Sequence, residues 1–385
     1  MTELQSLKPQ LLSGLDGYRR WFHGMIDSET GRLCYKYIPD KKEFLKEPSP
    51  VRDLGTAADL GTLQAHFSTT EFCEVMQRTL DHFQAALVEE QGWEDGAAEE
   101  GEQPAAGREV DSQPWSYLDP MKINEPSSIA HNSMFILALA SLQNHPRPEE
   151  SRQLMTQLAD GILHQQRPDG TYKIYFQSGD LGDFGYELYC GEAMLGLLTA
   201  HQHLGHERYL TSVQKALPQY ERIYRSGSIG RTELVFFANW QTQVAALLAR
   251  STTDPKASSH LSAYIYHLHD TILDKLKLYE AVKRFPEKMA TVEVGCGLEG
   301  LVDAYALALE EGPGAAARQQ RYAAAIRTAV DFLQEVQAKS AELGGEVAVG
   351  GLGHGLTRPL QRIDVTGHVA CAYIRLLEVL EGREP

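Results

Sequence analysis

Five acidic residues stand out by where they fall in the chain. Glu187, Glu293 and Asp364 recur just before or within the first turn of hydrophobic, helix-like runs, and Glu192 and Glu299 lie inside such runs among small or apolar residues. An acid at a helix start has an ordinary explanation, because it satisfies free backbone N–H groups and favours the positive end of the helix dipole. An acid inside an apolar run does not. Burying an ionised carboxylate unpaired is costly, so Glu192 and Glu299 must be paired or face a wet cavity. His131 and His368 sit on similar runs, and either imidazole can move a proton near neutral pH, the bland alternative being a satisfied core histidine. Two carboxyl groups converging on one cavity, one protonated and one not, are what cleavage of a glycosidic bond requires. The catalytic candidates are therefore Glu187, Glu192, Glu293, Asp364, His131 and His368.

A second set has the types that hold a polar ligand: Arg52, Asp53, Asn132, Tyr186, Tyr189, Asn239, Trp240, Glu299 and Arg362. Arg52 and Arg362 open the first and last of the hydrophobic runs and become neighbours if the chain closes into a ring. Their guanidinium groups could then hold a carboxylate or phosphate, or be spent on salt bridges to Asp53 or Asp364. Tyr35, Tyr37, Tyr172, Tyr175, Phe236 and Phe237 gather with Tyr186, Tyr189 and Trp240 near the run starts, where aromatic rings either stack on sugars or pack strand on helix.

Those residues are positioned by helices of two alternating kinds. Segments 72–87, 154–163, 210–224, 261–273 and 322–336 are amphipathic, with one wet face. Segments 54–67, 129–142, 188–198, 239–248, 295–309 and 365–377 are apolar or small nearly all round and belong inside. Between an outer helix and the next inner one lies a Gly- and Asp-rich turn followed by β-branched and aromatic residues, as in 27–37, 168–176, 226–237 and 344–349, which predicts a short strand at each place. With a helix over 7–22 as outer partner of the first inner helix, the count reaches six helix pairs. The expectation is an all-α fold, one (α/α)6 toroid domain over 1–385, with short strands at one mouth. Segment 89–111, acidic and rich in Gly, Ala and Pro, reads as a mobile insertion, either a solvated loop or a lid. The glycine-rich 344–355 lacks the Lys-Ser/Thr of a phosphate loop and reads as a flexible loop at the cavity mouth.

Bulk composition agrees with a folded, water-facing protein. The chain has 385 residues, 43% of them hydrophobic, and a net charge of −16, which repels phosphate backbones and anionic lipid. Nucleic acid and membrane are excluded as expected partners, and a polar start with no long apolar run points to the cytoplasm. The five cysteines are scattered without a C-x-x-C pair.

The phrases 189–198 (YCGEAMLGLL), 201–209 (HQHLGHERY), 168–172 (PDGTY) and 362–368 (RIDVTGH) resemble the helix-and-turn punctuation of the six-hairpin α/α toroids. That group includes glycoside hydrolases, polysaccharide lyases, N-acylglucosamine 2-epimerases and uronyl C5-epimerases. The resemblance spans nearly the whole chain and implies fold; no family's catalytic residues map onto it position by position. It implies a carbohydrate-active enzyme, a hydrolase, lyase or epimerase, with a small polar or saccharide ligand that an arginine pair would suit if anionic. No cofactor is expected. The alternatives are a tailoring enzyme or cyclase on a non-sugar substrate and a non-catalytic scaffold binding a peptide or protein. In outline the chain also looks like the lanthionine-cyclase and prenyltransferase-like toroids, and on that reading Cys190, Cys296 and His368 would hold zinc, although the histidine-containing signatures of those families are missing.

Overall fold

The computed structural model describes residues 2–91, 113–142, 147–177 and 181–383. Among the described residues, twelve long helices alternate between an outer and an inner layer. The outer ones are α1 (Lys8–Gly24), α3 (Cys73–Gln84), α5 (Pro148–His164), α7 (Glu207–Arg225), α9 (Pro255–Thr271) and α11 (Ala316–Val336). The inner ones are α2 (Pro50–His66), α4 (Ile129–Ser141), α6 (Tyr186–Leu204), α8 (Leu234–Ser251), α10 (Thr291–Glu310) and α12 (Ile363–Leu380).

The layering follows from residue type. In α7, Tyr209, Val213, Leu217, Tyr220 and Tyr224 recur every three or four residues and are buried together with Ser212, Ala216 and Glu221 on the same face, while the opposite face meets water. In α10, by contrast, an unbroken stretch from Val294 to Ala308 is buried, as a helix enclosed on all sides must be. Each inner helix packs on the next and α12 packs on α2, so the ring closes. Small residues make the close approaches: a Cβ on Gly191 would strike Trp240, and one on Gly196 would strike Ser133.

Closure joins the two halves of the sequence. Helix α1 was expected to partner the first inner helix; it packs instead on α12, the last. Sequence periodicity fixes which face of α1 is apolar but not which neighbour takes it. Strands β1 (Lys36–Ile38), β2 (Glu43–Leu45), β5 (Gly353–Gly355) and β6 (Arg358–Arg362) form one sheet in the order β2-β1-β6-β5, with Lys36 opposite Arg362 and Tyr37 opposite Gln361. The indole of Trp21 donates to Gln361 Oε1 at 2.8 Å, and Gln337 Nε2 donates to the Gly14 carbonyl at 3.1 Å.

Only part of the expected strand pattern is present. Segment 168–176 contributes isolated bridges, Gln166 with Tyr172 and Ser128 with Tyr175, and 344–349 forms a short 3-10 turn. Segment 226–237 has no strand among its described residues. β-branched and aromatic residues become strand only where a partner edge exists. A hairpin that was not anticipated, β3 (Leu87–Glu90) with β4 (Trp115–Leu118), takes up Glu89 and Glu90 of the acidic segment. Residues 92–111 of that segment lie outside the described residues. The glycine-rich run, expected as a loop at the mouth, is partly packed: Gly351 lies under Trp21, Gly350 (φ +94°) lies against Gly17, and 353–355 is β5.

Candidate active site

The starts of the inner helices gather at one mouth of the ring, and one to three turns below it their polar side chains meet. Helix α10 supplies Glu299 and, one turn deeper, Asp303; α12 supplies His368 and, two turns deeper, Arg375; α8 supplies Asn239 and Gln243; α2 supplies Asp59; α6 supplies Glu192. His368 keeps 20% of its side chain exposed and Arg375 keeps 25%, so water reaches these groups inside the ring.

Glu299 is the hub. Its Oε2 accepts from Asn239 Nδ2 at 3.0 Å and lies 3.1 Å from His368 Nδ1, and its Oε1 lies 4.0 Å from Arg375 Nε. Burial works against its charge, but the bond to His368 and the field of Arg375 outweigh burial and hold this carboxyl below its ordinary range. For His368 burial likewise opposes the charge, and the Glu299 bond, backed by Asp59 and Asp364, overcomes it and lifts the imidazole to about 9. The ring of Trp240 meets His368 edge-on, 5.7 Å between centroids. Beneath them Arg375 donates to Asp303 Oδ2 at 2.8 Å and to Gln243 Oε1 at 2.7 Å, forming a charged floor.

Two carboxyl groups in this space have no cation bonded to them among the described residues. Glu192 is 4% exposed, its Oε2 has no hydrogen-bond partner, and burial pushes its pKa up to about 7 against the weaker pull of His368 and Arg52. Asp59 receives a bond from the Cys371 thiol at 3.2 Å, and burial lifts it too to about 7 while His368 pulls the other way. Gly367 makes room for it, since a Cβ there would collide with Asp59 Oδ2. Asp59 escaped notice in the sequence. The same signal that marks Glu192 and Glu299, an acid within a small and apolar run, applies to Asp59 in Thr56-Ala57-Ala58-Asp59-Leu60 and to Asp303, and its cationic counterpart is Arg375.

The other anticipated residues divide. Arg362 and Asp364 form a bidentate pair, and Arg52 Nε lies 3.3 Å from Asp364 Oδ2, so the arginines do meet across the closure and one carboxylate engages both. That carboxyl, although buried, is held down by Arg362. Asp53 caps α2 by accepting from the Ser49 amide at 3.0 Å, and burial raises it to about 7. His131 is committed to a helix cap: Nδ1 accepts from the Ser128 amide at 3.0 Å, and Nε2 lies 2.8 Å from Glu125. Asn132 ties α4 to its surroundings through the Ser116 and Leu158 carbonyls. Glu187 and Glu293 sit half-buried in the first turns of α6 and α10, and neither is brought by a hydrogen bond into the Glu299 cluster. Burial raises Glu293, partly offset by Arg231. Tyr189, half-buried near Glu192, faces the mouth, and Tyr186 reaches the Ser228 carbonyl at the rim, whereas Tyr37, Tyr172 and Phe237 are core packing.

Among the described residues no three His, Cys, Asp or Glu side chains are arranged to hold a metal ion. Cys190 accepts from Gln241 at 3.6 Å and lies toward Tyr220 and Tyr264 of the outer layer, whereas Cys296 lies toward Glu299, so the two thiols do not converge with His368. No described helix is long and apolar enough to cross a membrane.

Three solved structures share this architecture. A cellobiose 2-epimerase from Spirochaeta thermophila superposes with a TM-score of 0.63 at 12% identity, covering 98% of both chains. A D-mannose isomerase gives 0.60 at 10%, covering 97% of this chain and 98% of that one. An unsaturated glucuronyl hydrolase from Bacillus sp. GL1 gives 0.58 at 14%, covering 89% and 90%. The fold is that of the six-hairpin toroids. No family model and no curated protein matches the sequence.

Proposed function

We propose that the chain is a carbohydrate-active enzyme that hydrolyses a glycosidic bond, with Glu192 as acid and Asp59 as base. The observation that carries this reading is a pair of carboxyl groups, buried Glu192 on α6 and half-buried Asp59 on α2, that have no bonded cation among the described residues and that desolvation brings to about 7. Groups poised near neutrality exchange protons with substrate at little cost. Glu192, without a hydrogen-bond partner on Oε2, is the better proton donor to the leaving glycosidic oxygen. Asp59 takes the proton of the water whose oxygen forms the new bond to the anomeric carbon, or forms that bond itself before water displaces it. Glu299 is too fully engaged by Asn239, His368 and Arg375 to serve. Its role is to keep His368 charged, so that the imidazolium steadies whichever of the two carboxyls is ionised. That three structural neighbours bear the names of a sugar hydrolase, isomerase and epimerase supports a sugar as substrate.

One observation favours a second reading, epimerisation or isomerisation of a sugar: an imidazole, His368, stands at the centre of the site in contact with Trp240. Because His368 holds its proton to about 9, it would give a proton rather than take one at neutral pH, and a carboxylate would have to be the base. The test is turnover of a panel of neutral and acidic oligosaccharides followed by mass spectrometry. Hydrolysis adds one water to the products, and epimerisation leaves the mass unchanged. Product formation that persists in both Glu192→Gln and Asp59→Asn would remove these two residues from the chemistry.

A further inference from the structure

Beside the catalytic cluster, the ring closure assembles positive charge that the protein itself does not neutralise. Lys36 on β1 stands directly opposite Arg362 on β6, a like-charge cross-strand pair of the kind sheets ordinarily avoid. Arg52, from the first turn of α2, joins them over a single ring, that of Tyr35. Lys36 Nζ is 4.4 Å from its centroid, and the Arg52 and Arg362 guanidinium carbons are each 5.7 Å away. Asp364 is the one carboxylate, among the described residues, in ion-pair contact with these cations, and it is shared by both arginines. Lys36 has no hydrogen bond or ion pair among the described residues. Burial and the two arginines lower its hold on its proton, while Asp364 and Glu47 act on it more weakly in the opposite sense. On the adjoining strand β5, His354 feels the same field, from Arg358, Arg362 and Lys36, and its Nδ1 is buried without a partner.

With one carboxylate shared among three cations, the seam keeps a local excess of positive charge in a chain of net charge −16, and an incoming anion meets that excess as an attractive field. It is also contiguous with the chemistry, for Arg52 acts on both Glu192 and Tyr189 and Asp364 acts on His368. We propose that Lys36, Arg52 and Arg362 form an oxyanion-recognising subsite at the mouth, so that the sugar bound there carries a carboxylate or a phosphate. The fork of Arg362 is already committed to Asp364, and Arg52 spends Nε on Asp364 and Nη1 on the Ser49 hydroxyl, which leaves the Lys36 ammonium and Arg52 Nη2 as the groups that meet the ligand, with Tyr35 as the flat surface beneath. The inference takes the presence of a sugar from the function proposed above and adds the charge of that sugar.

Calorimetric titration of the full chain decides it, with methyl glucuronide, glucose 6-phosphate and methyl glucoside as probes. One or both anionic probes bind measurably more tightly than the neutral one, and which of them does so distinguishes carboxylate from phosphate. Their affinity falls about tenfold or more in Lys36→Met and again in Arg52→Met, and falls with added salt, while the neutral glucoside is unaffected. Circular dichroism and the melting curve of each variant confirm that it folds. Equal affinity for charged and neutral probes overturns the subsite, as do failure of both anionic probes to bind and anion affinity unchanged in a folded Lys36→Met. Hydrolysis of neutral sugars that depends on Glu192, without anion preference, would leave the catalytic reading standing and remove this one alone.

Discussion

Replacing Glu299 by glutamine removes the charge that keeps His368 protonated while leaving the shape of the site nearly intact. In the native protein the imidazole rises from an ordinary 6.5 to about 9 despite burial, which corresponds to on the order of 3 kcal/mol in favour of its charged form. The folded value lies above the unfolded one, so this stabilisation is fully present below about pH 6.5 and is lost as the pH climbs through about 9. Glu299 behaves in the opposite sense: its folded value lies below the ordinary 4.5, so its contribution is present above that value and is lost as the pH falls through the lowered one. The pair is at full strength between these limits. In Glu299→Gln, burial prevails over the remaining fields of Asp59 and Asp364, and His368 should titrate at or below its ordinary value. Histidine labelled at the ring carbon, with the His368 signal assigned by its disappearance in His368→Gln, gives both titrations by NMR. Urea unfolding at about pH 6 and about pH 10 should show the native protein losing more stability between the two than the variant does. An imidazole that titrates near 6.5 in the native protein, or one unmoved by Glu299→Gln, would refute the coupling.

Glu192→Gln and Asp59→Asn should stabilise the fold while abolishing activity. The folded pKa of each lies near 7, above the unfolded value, so the ionised forms weigh against folding as the pH rises through that range, and the amides should gain about 1–3 kcal/mol near pH 8 by denaturant titration. Loss of stability in both variants would contradict the burial argument. Arg375→Leu leaves Asp303 buried without its partner and Glu299 less compensated, and should cost about 3–5 kcal/mol in the same assay. Gly367→Ala forces the Asp59 carboxyl aside; the expected result is a drop in kcat of about tenfold or more with little change in melting temperature, and an unchanged kcat would show that Asp59 is not held for chemistry.

Much of this architecture was readable in the residues, and the exceptions share a cause. Apolar, small-residue runs such as 295–309 have no wet face and had to be internal, which gave the layering. What periodicity does not encode is which distant element fills an apolar face, so α1 was assigned to α2 when it completes α12. The site shows the same division. Glu192 and Glu299 were found because acids are costly in apolar runs, and they lie in the cluster. Asp59 satisfies that criterion equally, and Arg375 is its cationic counterpart, but both lie two or more turns inside their helices, away from the helix starts where polar residues mark the mouth. His131 resembled His368 in sequence, and only its neighbours separate them: Ser128 three residues before makes His131 a cap, whereas Glu299, 69 positions away, makes His368 part of the centre. Arg52 and Arg362 were legible as neighbours conditional on closure, and of the two expectations for them the salt bridge is met at Asp364, which engages both, while anion binding stands as the proposal made above.

The seam where β1 meets β6 also sets an order of events in folding. Lys36, Arg52 and Asp59 precede residue 60, whereas Arg362, Asp364, His368 and Arg375 follow residue 360, so the two flanks of the site are separated by most of the sequence. Contacts of that separation carry the largest loop-closure entropy and form late. During synthesis the early helices wait with α1's apolar face and the β1 edge uncovered, and the Lys36 and Arg52 charges stand without Asp364, until the final helix emerges. The charged imidazole thereby becomes a report on the finished circle: no truncated chain lacking α12 can hold one beside Asp59, however well its remaining helices form.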